Sequence, residues 1–133
     1  MKQILVTAAV ISDNNLFLMA QRSEGDEAGK WEFPGGKIEP GEEPRACLRR
    51  ELREELGIDI KVDQVLEVVS VLQNNRHLIL LYFKCTIVAG NPKPLQCRQI
   101  KWFHQKEVGL LDKPPADRIF WESFKEQKEQ VEF

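Results

Sequence analysis

Few cysteines, few histidines, no long apolar run and no surplus of positive charge mark this sequence of 133 residues. Cys47, Cys85 and Cys97 are odd in number, widely spaced and outside any CxxC pattern, which argues against a disulfide framework or a thiolate zinc site and points to a reducing cytoplasm. His77 and His104 are too isolated to suggest zinc, and no Ser-His-Asp arrangement can be read from their order. No stretch approaches the roughly 18 apolar residues of a membrane span. Nineteen basic against 21 acidic residues leave a formal charge of −2, with no overall pull toward nucleic acid or an anionic membrane. Any phosphate-binding surface must therefore be local. Nothing signals a repeat, a linker or a second domain, so residues 1–133 read as one domain of ordinary globular composition, 42% hydrophobic and 30% charged.

What is present begins with two apolar runs, residues 3–11 and 16–22, joined by "SDNN" and read as a strand hairpin. Only Lys2 precedes the first run and a second follows at once, which favours the hairpin over a signal-peptide core. The charged loop "RSEGDEAGK" is not a P-loop, since its glycine spacing is one residue short and Trp31 stands where Ser or Thr is required. A glycine turn at Gly35 and Gly36 then leads into a helix. Pro44 suits its first position, Glu42 and Glu43 favour the positive end of its dipole, and Gly57 is its stop. Leu48, Leu52 and Leu56 form one apolar stripe along it. Two β-rich runs, 60–73 and 77–88, are separated by "NNR", a further strand fits 98–104, and "PADRIFWESFKEQKEQ" closes the chain as an amphipathic helix.

The helix carries a second, less comfortable stripe. Glu51, Glu54 and Glu55 stand at i, i+3 and i+4, so their carboxylates project from neighbouring points of one face. Two such charges about 6 Å apart repel by roughly 3 kcal/mol at an effective dielectric of about 20. Arg49, Arg50 and Arg53 can neutralise them as an ordinary solvated face. The glycines just before the helix supply another reading: a backbone carbonyl can approach an ion held by the carboxylates, giving the hard oxygen ligands that Mg²⁺ prefers.

Residues 36–58 resemble the Nudix box, G-x5-E-x7-R-E-U-x-E-E-x-G-U, where U is aliphatic. Gly36, Glu42, Arg50, Glu51, Leu52, Glu54, Glu55, Gly57 and Ile58 occupy every required position. The flanking "WEFPGGKIEPGE" and "PPAD" are similar to the MutT-type branch, which includes 8-oxo-dGTP diphosphatases and CTP pyrophosphohydrolases. The resemblance implies an α/β fold, a mixed β-sheet sandwiched between helices (α/β/α). It also implies cleavage of a nucleoside triphosphate to a monophosphate and pyrophosphate. The alternatives it leaves are hydrolysis of a nucleotide sugar or dinucleoside polyphosphate, and a non-catalytic nucleotide-sensing module. The implied partner is a small nucleotide, with no stable nucleic-acid or membrane binding, and the implied state is a monomer or weak homodimer.

By the same resemblance Glu51, Glu54 and Glu55, with the Gly35 carbonyl, hold Mg²⁺ or Mn²⁺. Glu51 activates the attacking water, Glu54 shares the catalytic role, and Arg50 orients the glutamates. Arg22 and Lys37 are candidate phosphate contacts, Phe33 a candidate wall for the base, and Asp117 the residue reading its edge. An ionised aspartate only accepts hydrogen bonds and would favour exposed amino groups, which makes cytidine nucleotides competitors of 8-oxo-dGTP; a helix cap is the alternative role for Asp117. One departure stands out: the place of a further carboxylate ligand before the last strand falls on Gln96, so the set is weaker, uses fewer ions, or draws on Glu107 or Asp112.

Overall fold

The computed structural model describes residues 1–127, and the sheet at its centre follows from the apolar runs in the sequence. Strand β1 (Lys2–Asp13) turns into β2 (Leu16–Gln21) through Asn14 and Asn15, both at positive φ (52° and 65°), the pair of values that a two-residue hairpin of matching twist requires. Asn74 and Asn75 (φ 52° and 57°) do the same between β5 (Asp59–Gln73) and β6 (Arg76–Ala89). Short strands β3 (Trp31–Glu32) and β4 (Gly35–Lys37), helix α1 (Pro44–Leu56), strand β7 (Gln99–His104) and helices α2 (Gln105–Leu110) and α3 (Pro115–Gln127) complete the order. The expected final helix therefore agrees as far as it is described; its residues 128–130 lie outside the described residues.

The strands make one mixed sheet, ordered β3-β2-β1-β6-β5, with β4 also on β1 and β7 also on β2. Only the β1–β6 pairing is parallel among the described strands. β1 is buried on both faces from Thr7 to Ile11, as expected of a central strand with a parallel neighbour. Its alternation separates two cores. Ala9 and Ile11 face Leu48, Leu52 and Leu56 of α1, all three fully buried, each contributing about 2 kcal/mol relative to exposure. Ala8 and Val10 face Phe120, Trp121 and Phe124 of α3 on the other side. The result is the helix–sheet–helix sandwich.

Helix α1 is bounded as its sequence indicates. Glu43 caps its start by accepting from Ala46 N at 3.0 Å, Pro44 follows, and Gly57 ends it in the left-handed region at φ 68°. One local expectation changes, and one element was not expected. Gly35 and Gly36 do not turn but run extended as β4, antiparallel to Thr7 and Ala8, and glycine is needed there for close approach. A Cβ on Gly35 would lie 1.9 Å from Thr7 O, and one on Gly36 2.3 Å from Glu51 Cδ. Helix α2 has no apolar period to announce it, and it forms around a capping box in which Glu107 accepts from His104 N at 2.9 Å.

Candidate active site

The apolar stripe of α1 fixes which way its acidic face points, and Arg50 organises that face. Its Nε and Nη2 donate to the two oxygens of Glu42 at 2.8 and 3.0 Å, and its Nη1 donates to Glu51 at 3.0 Å and Glu54 at 3.2 Å. Nη2 also reaches Lys37 O at 3.3 Å, tying the helix to β4. The bidentate pair holds the Glu42 carboxyl down at about 2, chiefly through the Arg50 hydrogen bonds. Glu42 thus acts as the brace of Arg50.

Glu51 and Glu55 face a cleft of about 220 Å³, shared with Arg22, Ser23, Glu24, Glu32, Gly35, Gln96 and Cys97. Glu55 is only 7% exposed and forms no ion pair among the described residues. Burial pushes its carboxyl up to about 8, with the charges of Glu32 and Glu51 adding and the Gly35 N–H opposing. Burial also raises Glu51, against the pull of Arg50. The chemistry of these donors, hard carboxylate oxygens beside a strand backbone so close that a Cβ at Gly36 would overlap Glu51, fits a divalent cation of the Mg²⁺ or Mn²⁺ kind. No three His, Cys, Asp or Glu among the described residues converge into a finished ligand set. Glu54 is turned to Arg50, so chelation requires a side-chain rotation that its half-exposed position permits.

Beside the cleft lies a larger cavity of about 280 Å³, floored by β1 and β6 residues such as Val6 and Leu80 and closed by Phe33, Ala116 and Asp117. Arg22, Glu32 and Gly35 line both spaces, so the two form one path. Arg22 donates from Nη1 to Glu32 at 3.0 Å, while its buried Nε has no hydrogen-bond partner among the described residues. Arg22 thus brings its guanidinium to the junction of the two spaces. Lys37 sits exposed on the cavity rim. Phe33 is 3% exposed and lines the cavity from within an aromatic cluster, its ring centroid 6.1 Å from that of Trp121.

Asp117 corrects the expectation of an ionised, accept-only group. It lies in the first turn of α3, 4% exposed, and accepts from Tyr82 Oη at 2.5 Å. Burial, then the nearby Glu32 charge, pushes its carboxyl up to about 8, and the bond from Tyr82 only partly opposes this. So raised, the carboxyl takes up its proton near neutral pH, and in the neutral form it can donate one hydrogen bond as well as accept. Its side chain faces the cavity and Tyr82, which is no helix cap.

The structure thus gathers Gly35, Glu51, Glu55 and Arg22 around one cleft, with Arg50 and Glu54 behind it through the bond to Glu51, and places Phe33, Lys37 and Asp117 around the adjoining cavity. Gln96 lines the cleft, carried there by a loop whose Lys93 and Leu95 N–H groups bond Leu56 O (2.9 Å) and Glu55 O (3.0 Å) at the end of α1. Glu107 and Asp112 do not line it: Glu107 is spent on the α2 cap, and Asp112 gives its carbonyl to Trp31 N. Glu32, Arg76 and Gln73 are site residues that the sequence does not announce. Glu32 has one visible signal, a carboxylate between two aromatic residues just before the glycines; Arg76 and Gln73 have none, since a hairpin end brings them to the cavity.

Comparison with known proteins places these features in a family context. The NUDIX domain family matches residues 1–124. The chain is 36% identical over 125 residues, 93% of each protein, to the CTP pyrophosphohydrolase of Escherichia coli (strain K12), and 40% identical over 87 residues, 64% of this chain and 78% of its relative, to the 8-oxo-dGTP diphosphatase of Proteus vulgaris. Its fold is similar to that of the E. coli ORF135 protein, with a TM-score of 0.85 at 34% identity, covering 98% of this chain and 94% of that one. The MutT protein from Methanosarcina mazei Go1 superposes equally well, with a TM-score of 0.85 at 27% identity, covering 98% and 97%.

Proposed function

The chain belongs to the Nudix family as a MutT-type hydrolase, and from that premise we propose that it is a Mg²⁺-dependent nucleoside triphosphate pyrophosphohydrolase. Its products are a nucleoside monophosphate and pyrophosphate, its substrate 8-oxo-dGTP or a cytidine nucleotide, and its setting the cytoplasm, as a monomer or weak homodimer. The observation that carries the reading is the continuity of cleft and cavity: the acidic face of α1 and a nucleoside-sized cavity meet at Arg22 and Gly35.

In this reading the base enters the cavity against Phe33, with its edge toward Asp117, and the phosphates pass Arg22 and Lys37 into the cleft. Glu51, Glu54, Glu55 and the Gly35 carbonyl hold the cation, Mg²⁺ or in its place Mn²⁺. When bound, that ion neutralises charge on the polyphosphate oxygens and polarises water. Arg50, anchored by Glu42, sets the orientation of Glu51 and Glu54, and the raised Glu51 carboxylate accepts the proton of the attacking water. Gln96 contributes a neutral oxygen to the cleft, so the cation relies on the α1 carboxylates more heavily.

A panel of 8-oxo-dGTP, CTP, 5-methyl-dCTP, ATP and ADP-ribose with Mg²⁺ tests the reading. Release of pyrophosphate and a monophosphate is the expected outcome, and Glu54→Gln should abolish turnover while the protein stays folded. Inorganic phosphate with a nucleoside diphosphate, or preference for ADP-ribose, would count against it.

A further inference from the structure

Two fully buried polar side chains, neither at a required position of the signature, have no part in the scheme above. Thr7 on β1 and Cys47 on α1 meet beneath β4. Thr7 Oγ1 lies 3.2 Å from Gly36 O, Cys47 Sγ lies 3.3 Å from Lys37 O, and the two side chains are 3.4 Å apart. Each carries one proton, so the arrangement that satisfies both carbonyls is hydroxyl to Gly36 and thiol to Lys37. Arg50 Nη2 completes the cluster, 3.3 Å from the same Lys37 O and 3.8 Å from Cys47 Sγ. A hydroxyl at a fully buried strand position carries a desolvation cost that valine would avoid. What offsets it here is a bond to the glycine strand of the site.

The geometry of β4 shows what that bond can do. Thr7 pairs with Gly36 across the β1–β4 ladder, so the Gly36 carbonyl turns toward β1 while Gly35 and Lys37 present their peptide edges to the opposite side. That side is α1: the Gly35 N–H goes to Glu55, and Lys37 O goes to Cys47 and Arg50. Gly35 O leaves on the same edge as Lys37 O. The position of the one thus follows that of the other.

We propose that Thr7 and Cys47 are positioning residues that fix the pitch of β4, so that the Gly35 carbonyl is presented to a cation held by the α1 carboxylates. The inference rests on the cation reading given above. Cys47 acts through Lys37 O and lines neither the cleft nor the cavity; Thr7, whose strand walls the cavity, acts through Gly36 O with its side chain fully buried. Thr7 holds the middle of this three-residue strand and Cys47 its far end, beside the bonds that Arg50 makes to Lys37 O and Glu55 to the Gly35 N–H.

The experiment is a Mn²⁺ titration of the nucleotide-free protein, followed through the paramagnetic resonance signal of unbound Mn²⁺, on wild type, Cys47→Ala, Cys47→Ser, Thr7→Val and Thr7→Ser. Removing a donor should weaken Mn²⁺ binding about three- to tenfold, the loss of one modest hydrogen bond, while the two serine variants, which keep a donor, stay within about twofold of wild type. In turnover assays, on protein shown by far-UV circular dichroism to be fully folded, the activity lost at low Mn²⁺ should return as Mn²⁺ is raised, which a smaller folded fraction would not produce. Should Cys47→Ala fail to fold, Thr7→Val, nearly isosteric with wild type, still decides the matter. Wild-type affinity in both Cys47→Ala and Thr7→Val, or equal losses in the serine variants, would overturn the inference alone. A wild-type protein that takes up no Mn²⁺ would overturn it together with the reading beneath it.

Discussion

Replacing Asp117 by Asn tests the electrostatics of the cavity through stability. The wild-type carboxyl is buried and pushed up to about 8 from its ordinary value of 3.8. A group whose folded pKa is raised binds its proton more tightly in the folded state, so its contribution is fully present below the unfolded value and is lost as pH climbs through the folded one. The window runs from about pH 4 to about pH 8. Within it wild-type stability should fall by at most about 1.4 kcal/mol per pH unit on account of this group, or about 4 kcal/mol by pH 7. Asparagine keeps the shape and an acceptor for the Tyr82 hydroxyl but cannot titrate. Other groups, Glu55 among them, also impose pH dependence, so the informative quantity is the difference between the two proteins. Urea unfolding followed by tryptophan fluorescence at pH 5, 6, 7 and 8 should show Asp117→Asn gaining on wild type at each step, with Trp121, buried in the same core cluster as Tyr82, among the reporters. Parallel stability curves across that range would mean that Asp117 is ionised in the folded protein, and the donor-and-acceptor account of the cavity would be wrong.

Arg50→Lys keeps the charge but loses the fork that grips Glu42, Glu51 and Glu54 together, so kcat should fall at least about tenfold with a smaller change in KM; unchanged kcat would show that orientation of the glutamates is not its role. Millimolar Mg²⁺ should raise the melting temperature of wild type by relieving repulsion along α1, and an equal rise in the Glu51→Gln, Glu54→Gln, Glu55→Gln triple variant would contradict chelation there. The two glycines of β4 should fail differently. Gly35→Ala places a methyl against Thr7 backbone and should destabilise the fold by about 1 to 3 kcal/mol or more in urea melts, whereas Gly36→Ala meets the movable Glu51 side chain and should reduce turnover with less loss of stability.

Much of this molecule is legible in its amino-acid sequence. The leucine stripe of α1 sets its buried side and, by subtraction, its carboxylate side. Paired asparagines mark both tight hairpins, because side chains that tolerate positive φ are scarce. Pro44 and Gly57 bound the helix because each end imposes a local backbone rule. The signature residues can be named from their order alone because local chain spacing places them on one helical face.

What lies beyond the sequence is whatever depends on contacts between distant segments. Locally the two glycines read as a turn, since their need for close approach arises from Thr7 on another strand. Gln96 can be counted to its place, but its arrival in the cleft, and the exclusion of Glu107 and Asp112, depend on a loop bonded to the end of α1. The protonation of Asp117 is not legible at all. Charge state is set by burial and by Glu32, far away along the chain, and no local pattern encodes a dielectric environment that exists only once the sheet and α3 have closed around it.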